Sequence, residues 1–449
     1  MTAPARTAAY HAVRAIAAAR SDLPTALHAS REHLHDDRDR SLAAEIVTGT
    51  LRWQRSLDHV IEHFSKRRIG KLDPEVVAIL RLSLYQLLHL DRVPASAVVD
   101  DAVDLTRAAR KPSASGFVNA VLRATLRQRH KLPLPARPEN TADRDAALAY
   151  LGVTHSHPDW LVARWLDRYG FEATERWVRF NNATPPLTVR VNRLRATREQ
   201  AVAALAADDV ETEPTRYAPD GLVITSGNPL RRPADGLVFV QDEASQLVPI
   251  VAAASPNERV LDLCASPGGK TIAMASDMRD TGTIVASDVR PRRLSLLRDT
   301  VGLSGARNVT VVRVPAEGSL PFRARFDAVL VDAPCSGLGT IRRDPDIRWR
   351  RRENDLPALA RDQVSLLMRA ADVVGPGGRL VYATCSSEPE ENDGVIGAFV
   401  AARTDFRLVD LQTAANPVVA RFIDRHGFFR TTPPAHGLEA FFAALLTRV

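Results

Sequence analysis

Cysteine is scarce in this chain. Only Cys264, Cys335 and Cys385 occur in 449 residues, an odd and scattered set that builds no disulfide framework and points to a reducing compartment. There is no CxxC pair and no histidine with a partner at metal-ligand spacing, so a zinc site is not expected. No apolar run approaches the ~20 residues that cross a bilayer, which excludes a spanning helix and leaves a soluble, cytoplasmic protein as the expectation. Acidic residues are missing in two places. None precedes Asp22, while Arg6, Arg14 and Arg20 stand among alanines; this is superficially a transit peptide, but the pattern runs unbroken into further helix and is read as a first amphipathic helix. None lies between Thr106 and Pro138 either, where Arg107, Arg110, Lys111, Arg123, Arg127, Arg129, Lys131 and Arg137 stand.

What is present is enough apolar material for several cores. The residues are 45% hydrophobic and 25% charged, and the length suits about three domains. Net charge is +7, of which +6 falls in residues 1–150. A basic block of this kind attracts phosphates, although a solvated helical face is the other explanation.

Residues 1–138 read as a helical bundle. Val76, Val77, Leu80, Leu84, Leu87 and Leu88 recur at helical spacing, and Asp73-Pro74 marks a helix start. Helices are expected near 97–109 and 115–129, carrying the basic block. Lys131-Leu-Pro-Leu-Pro-Ala-Arg-Pro138 reads as a linker. Residues 145–240 mix helices (158–169, 198–207) with strands (187–191, 222–226) in a small α+β module. From 241 to 449, strands at 260–264, 283–288, 309–314, 328–332 and 379–384 alternate with helices. That alternation predicts a doubly wound, Rossmann-like parallel sheet with ligands at the strand C-terminal ends.

Three of those strand ends carry chemistry. Cys264-Ala265-Ser266-Pro267-Gly268-Gly269-Lys270 is a tight turn opening a helix, suited to an anionic group, and Asp288 follows Gly268 at the offset of a ribose-binding acid. It is not GxGxxG, and the short turn fits the carboxylate of S-adenosylmethionine better than a pyrophosphate. Asp332-Ala-Pro-Cys335 and Thr384-Cys385-Ser386 place thiols on two strand ends. A thiolate adding to carbon 6 of a pyrimidine makes carbon 5 able to take a methyl group from a sulfonium, and a second group must then remove the carbon 5 proton. Two thiols fit attack and release. Asp332 could meet the cytosine edge at its ring nitrogen or its amino group. Cys264 reads as a small buried side chain. Asp344-Pro-Asp-Ile-Arg348-Trp349-Arg-Arg-Arg352 reads as a single-stranded RNA contact or a charged helix start.

Leu261-Asp-Leu-Cys-Ala-Ser-Pro-Gly-Gly-Lys-Thr271, Asp332-Ala-Pro-Cys-Ser-Gly337, Arg342-Arg-Asp-Pro-Asp346 and Tyr382-Ala-Thr-Cys-Ser386 with Pro389-Glu-Glu-Asn392 resemble the RNA cytosine-5 methyltransferases of the NOL/NOP2/Sun group. Trp160, Thr188-Val-Arg-Val-Asn192 and Val240-Gln-Asp-Glu-Ala-Ser-Gln246 resemble the linker module of its bacterial branch. Leu72-Asp-Pro-Glu75, Arg81-Leu-Ser-Leu-Tyr85 and Gly116-Phe-Val-Asn-Ala-Val-Leu122 resemble a NusB-type RNA-binding domain. The resemblance implies Cys385 as nucleophile, Cys335 as the residue aiding release, Cys264 to Lys270 with Asp288 as the S-adenosylmethionine site, and Asp332 bordering both ligands. It implies a monomer acting on 16S rRNA or the assembling small ribosomal subunit, at a cytosine of the 967 type. Ala316 stands where such enzymes place an aspartate near the adenine, with Glu317 beside it as the acid to substitute, and Glu439-Ala-Phe-Phe442 departs from the usual Asp-Gly-Phe-Phe and is expected to be a strand. The competing readings are a NusB-like RNA-binding factor with an inactive methyltransferase fold and a nicotinamide-dependent oxidoreductase; the second leaves both thiols and the basic domain unexplained.

Overall fold

Helix-favouring sequence fills the first third of the chain, and a computed structural model, which describes residues 2–229, 236–414 and 416–449, places helices there. They are α1 (Pro4–Ala17), α2 (Leu23–Glu32), α3 (Asp37–Arg52), α4 (Gln54–Ser65), α5 (Pro74–His89), α6 (Ala95–Ala108) and α7 (Ser115–Arg127). Local chemistry sets their ends: the Asp22 carboxylate accepts from the Thr25 N–H at the start of α2, Pro74 opens α5, and α4 stops where Lys66 turns left-handed. The most enclosed helix is α5, whose Val76, Ile79, Leu80, Leu82 and Leu84 are buried among Val13, Ile46, Leu57, Ile61, Val99 and Leu122. Burying a side chain of this size contributes about 1.5–3 kcal/mol.

Residues 131–138 lack regular structure, as expected of a linker, yet they are fastened. Leu132 and Leu134 pack on the bundle core, the His59 ring bonds Pro133 O at 2.8 Å, and Arg137 pairs with Glu172 and Glu175. The helix expected at 158–169 runs on as Asp159–Asn182, broken only at Gly170 (φ 75°, ψ 175°), where glycine allows the turn without ending the helical run.

Contacts gather the chain into two compact units, Met1–Ala183 with Ile341–Glu353, and Thr184–Thr340 with Asn354–Val449. The second holds two sheets. In the smaller, β1 (Leu187–Val191), β2 (Glu211–Pro214), β3 (Gly221–Ser226) and β4 (Val238–Val240) pair antiparallel in the order 2-3-1-4. The larger contains β5 (Arg259–Asp262), β6 (Thr283–Asp288), β7 (Val309–Arg313), β8 (Phe326–Asp332), β9 (Val374–Thr384), β10 (Phe406–Leu408), β11 (Phe429–Arg430) and β12 (Phe442–Arg448).

Its path is 10-12-9-8-5-6-7, with β11 beside β12. The run 9-8-5-6-7 is parallel, but the expected wholly parallel sheet is corrected to a mixed one: β12 lies antiparallel against both β9 and β10. Helical connections favour parallel neighbours, whereas the final segment returns from the opposite end and pairs in reverse, Phe442 against Thr384. Strand structure begins at Phe442, so Glu439 precedes it, buried. Apolar residues cover both faces of the sheet, which leaves its C-terminal edge for the site. Among the described residues no helix is long and apolar enough to cross a membrane.

Candidate active site

The parallel strands reverse their order of addition between β5 and β8, and ligands of such sheets bind outside the strand ends at that point. Beyond β5 the chain enters the turn 264–268 and then the helix Gly269–Asp277. Gly268 has φ +111°, a conformation that favours glycine, and a Cβ there would also crowd Leu297 at 3.0 Å and Thr300 at 3.1 Å. Gly269 packs so closely that a Cβ would sit 3.2 Å from the Gln241 amide. Gln241 accepts at 2.7 Å from Arg190 Nε, and Arg190 Nη2 donates to Gly269 O at 2.9 Å. A buried arginine on β1 thus fastens the turn.

A 160 Å³ cavity opens here, lined by Phe239, Val240, Gln241, Ser245, Asp262, Cys264, Ala265, Ser266, Pro267, Gly269, Lys270, Thr300 and Asp332. Asp262 is 1% exposed. Thr271 Oγ1 donates to its Oδ2 at 2.7 Å, while Oδ1 is buried with no hydrogen-bond partner in the protein. Burial, with Asp332 and Asp288 nearby, pushes the Asp262 carboxyl up to about 7. The orphaned oxygen suits an ammonium group, and the free N–H groups of the helix start suit a carboxylate. Together they match the two charged ends of an amino acid. Cys264 lines the same cavity, and burial and the surrounding aspartates push its thiol far up, so it stays neutral.

Cys335 follows β8 and Cys385 follows β9, and the pairing of those strands brings the two Sγ atoms to 3.3 Å. Both are half-buried. The hydrogen bond to Cys385, burial and the Glu391 carboxylate all push the Cys335 thiol well up. Beside them Lys270 Nζ lies 2.7 Å from Asp332 Oδ2 and 3.2 Å from Ser245 Oγ. Burial works against the Lys270 charge, but Asp332, then Cys385 and Asp262, outweigh it and hold the ammonium above its ordinary value. The site therefore holds a charged ammonium near the thiol pair.

Three expected cofactor residues, Gly268, Asp288 and Glu317, lie outside this lining. Asp288 is buried at the end of β6, where its Oδ1 accepts from Arg290 N and Oδ2 lies 3.7 Å from Arg293. Glu317 is exposed, on a loop whose carbonyls at Pro315, Ala316 and Gly318 accept from the Arg369 guanidinium. The RNA-contact reading of the stretch 344–352 fails at Arg348, whereas Trp349 is half-buried. Arg348 is 0% exposed and donates to Ser156 O and Asn182 Oδ1, and Trp349 Nε1 donates to Leu51 O. The basic block does reach solvent: Arg107, Arg110, Arg123, Arg127, Arg129, Lys131 and Arg137 are exposed, though Arg107 and Arg137 are engaged by carboxylates. In the sequence, Asp262, Ser245, Gln241, Arg190 and Glu391 stand only inside the motifs that carry the resemblance and have no role assigned. A lone acid between leucines in a strand was the available signal for Asp262. Among the described residues, no cluster of three or more histidine, cysteine, aspartate or glutamate side chains could hold a metal.

Residues 249–447 match the family model described as 16S rRNA methyltransferase RsmB/F, residues 3–127 the NusB family, and residues 157–231 the ferredoxin-like domain of RsmF/B-like methyltransferases. The probable ribosomal RNA small subunit methyltransferase B of Bacillus subtilis is 34% identical over 411 residues, 90% of each chain. Ribosomal RNA small subunit methyltransferase B of Pseudomonas putida is 35% identical, covering 91% of this chain and 92% of its own. The chain belongs to the RsmB family of ribosomal RNA small subunit methyltransferases. Among solved structures, that of PH0851 overlays at a TM-score of 0.79 with 29% identity over 99% of both chains. A methyltransferase homolog protein from Pyrococcus horikoshii gives 0.57 with 27% identity, over 68% of this chain and 99% of that one. As an RsmB-family methyltransferase the chain has a NusB helical domain, a small α/β module and a Rossmann-like catalytic domain in that order.

Proposed function

We propose that this RsmB-family enzyme methylates carbon 5 of a cytosine in 16S rRNA, at a site of the 967 type, through a covalent cysteine adduct and with S-adenosylmethionine as methyl donor. The 3.3 Å approach of Cys335 and Cys385 beside the Lys270–Asp332 pair carries the proposal. Asp262 and the N–H groups after Gly268 would hold the ammonium and carboxylate of S-adenosylmethionine, and Asp288 is the acid placed for its ribose. When bound, that group supplies an electrophilic methyl on a sulfonium.

The Cys385 thiolate, stabilised by Lys270, attacks carbon 6; the Sγ–C6 bond forms as the C5=C6 π pair moves to carbon 5. Carbon 5 uses that pair to take the methyl group. Cys335 aids release: the carbon 5 proton passes to water beside Cys335, the electrons of the C5–H bond re-form C5=C6, and the C6–Sγ bond breaks with its electrons returning to Cys385 as thiolate. Asp332, its Oδ2 held by Lys270, is an acceptor for the cytosine amino group. We assign residues 1–138 and 145–240 to RNA contact and 241–449 to catalysis, in a cytoplasmic monomer.

Purified protein incubated with tritiated S-adenosylmethionine and 16S rRNA transcript, then mapped by nuclease, tests the target; label on any base other than a cytosine would defeat it. Cys385→Ala is expected to abolish transfer, and Cys335→Ala to accumulate a protein–RNA adduct that survives denaturing electrophoresis. Full activity in Cys385→Ala would sink the assignment.

A further inference from the structure

Glu391 closes the short turn Pro389–Glu391 and is fully buried. Its carboxylate accepts four hydrogen bonds, drawn from both thiol loops. Oε1 accepts from Ser336 N at 2.7 Å and Gln363 Nε2 at 3.0 Å; Oε2 accepts from Ser336 Oγ and Ser386 Oγ, each at 2.5 Å. Ser336 and Ser386 are the residues that directly follow Cys335 and Cys385. Gln363 Nε2 also donates to Pro334 O at 3.0 Å, which holds the other side of Cys335. Asn392 does the same for Cys385, accepting from Thr384 Oγ1 at 2.6 Å and donating to Ser386 O at 3.0 Å. The neighbours of each sulfur are thus tied to one short segment. A carboxylate has about four acceptor positions, and neutral donors fill all of them here.

We propose that Glu391 is a positioning residue that sets the spacing of the two thiols, touching neither sulfur and acting through Ser336 and Ser386. It rests on the covalent reading above, since only attack by one thiol and release by another require a fixed spacing. The carboxylate also bears on the pair electrostatically, because its charge disfavours a thiolate on Cys335.

Two substitutions separate geometry from charge. In Glu391→Gln the amide oxygen still accepts from Ser336 N and Gln363, and the amide N–H groups donate to the two serine hydroxyls, whose rotors reverse. In Glu391→Ala the four bonds to the carboxylate are lost, while the 3.2 Å contact between Ser336 Oγ and Ser386 Oγ remains. The experiment uses the full-length protein with two readouts, kcat and KM for methylation, and the rate at which oxidised glutathione closes a Cys335–Cys385 disulfide, read from linked peptides by mass. In that reaction the two thiols pass two electrons and two protons to one disulfide, giving one protein disulfide and two glutathione thiols. Glu391→Ala is expected to lower kcat about 100-fold, with KM for S-adenosylmethionine within about twofold, and to slow disulfide closure about tenfold or more. Glu391→Gln is expected to keep closure within about threefold of the parent. Unchanged closure and kcat in Glu391→Ala overturns the proposal. If that variant does not fold, Ser386→Ala, which removes the carboxylate's tie to the Cys385 loop together with the Ser386 Oγ contacts to Ser336 Oγ and Glu388 N, must slow closure, and normal closure there overturns it equally. Slowed closure with normal methylation supports the positioning role and defeats the covalent reading alone.

Discussion

Asp262 shows how one residue in the wrong solvent becomes a site. Val260, Leu261 and Leu263 around it are fully or almost fully buried, as a central parallel strand requires, and a carboxylate among them must be neutralised, bonded or paid for in stability. Thr271 satisfies one oxygen only. Its folded value of about 7 against the ordinary 3.8 means that the folded state binds this proton more tightly than the unfolded chain. The stability contribution is therefore complete below about pH 4 and lost as pH rises through about 7, a window worth up to about 4 kcal/mol. Urea unfolding of the cofactor-free protein is expected to show stability falling across that window. Asp262→Asn should flatten the fall, raise stability at pH 8, and weaken S-adenosylmethionine binding in calorimetry; an unaltered pH slope in the variant would remove Asp262 as its source.

Elements were legible where a local pattern decides them. The strands 187–191 and 283–288 and the helix 198–207 form as their spacing predicts, and the strand-end cysteines announced the thiol pair because β8 and β9 are neighbours. What stayed hidden depends on side chains distant in sequence. Glu391 meets Ser336 across 55 positions, and Arg190 meets Gly269 across 79; neither leaves a periodic trace. Arg348 looked like a phosphate ligand because a fully buried arginine satisfied by carbonyls is rare, and composition favours exposure. Arg190 gives this scale its test. Its forked guanidinium holds Gln241 and the Gly269 carbonyl at once, which neither methionine nor lysine can reproduce. Arg190→Met and Arg190→Lys are both expected to raise the dissociation constant for S-adenosylmethionine about tenfold, roughly the loss of one charge-assisted hydrogen bond, while Cys335–Cys385 disulfide closure stays unchanged. Unaltered binding in both variants would show that β1 does not organise the turn.

At the scale of the whole molecule, sequence order and compact units disagree. Ile341–Glu353 lies between the Cys335 loop and β9 in sequence, yet its contacts belong with the helical unit. There Arg348 donates to Ser156 O, Asn181 O and Asn182 Oδ1, Asp346 accepts from Leu23 N, and Trp349 donates to Leu51 O. Burial, and then the Arg52 charge beside it, pull the Arg348 guanidinium well down, so those carbonyl partners are what keep the charge tolerable. Residues 184–449 are consequently not a self-sufficient catalytic piece, although they contain both thiols and the cofactor turn. Expressed alone, that fragment would carry Arg348 and Ile347 without the groups that bury them. Trypsin is expected to cut it after Arg348, a bond protected in the full chain because cleavage needs an extended, exposed segment. In the full chain, Arg348→Met should lower stability by about 3 kcal/mol, leaving several carbonyls unbonded, with little change in S-adenosylmethionine binding. Tryptic peptide maps over a time course decide the matter. Equal protection of the Arg348 bond in fragment and full chain would mean that the segment folds without the helices, and the catalytic unit could then be reassigned as independent.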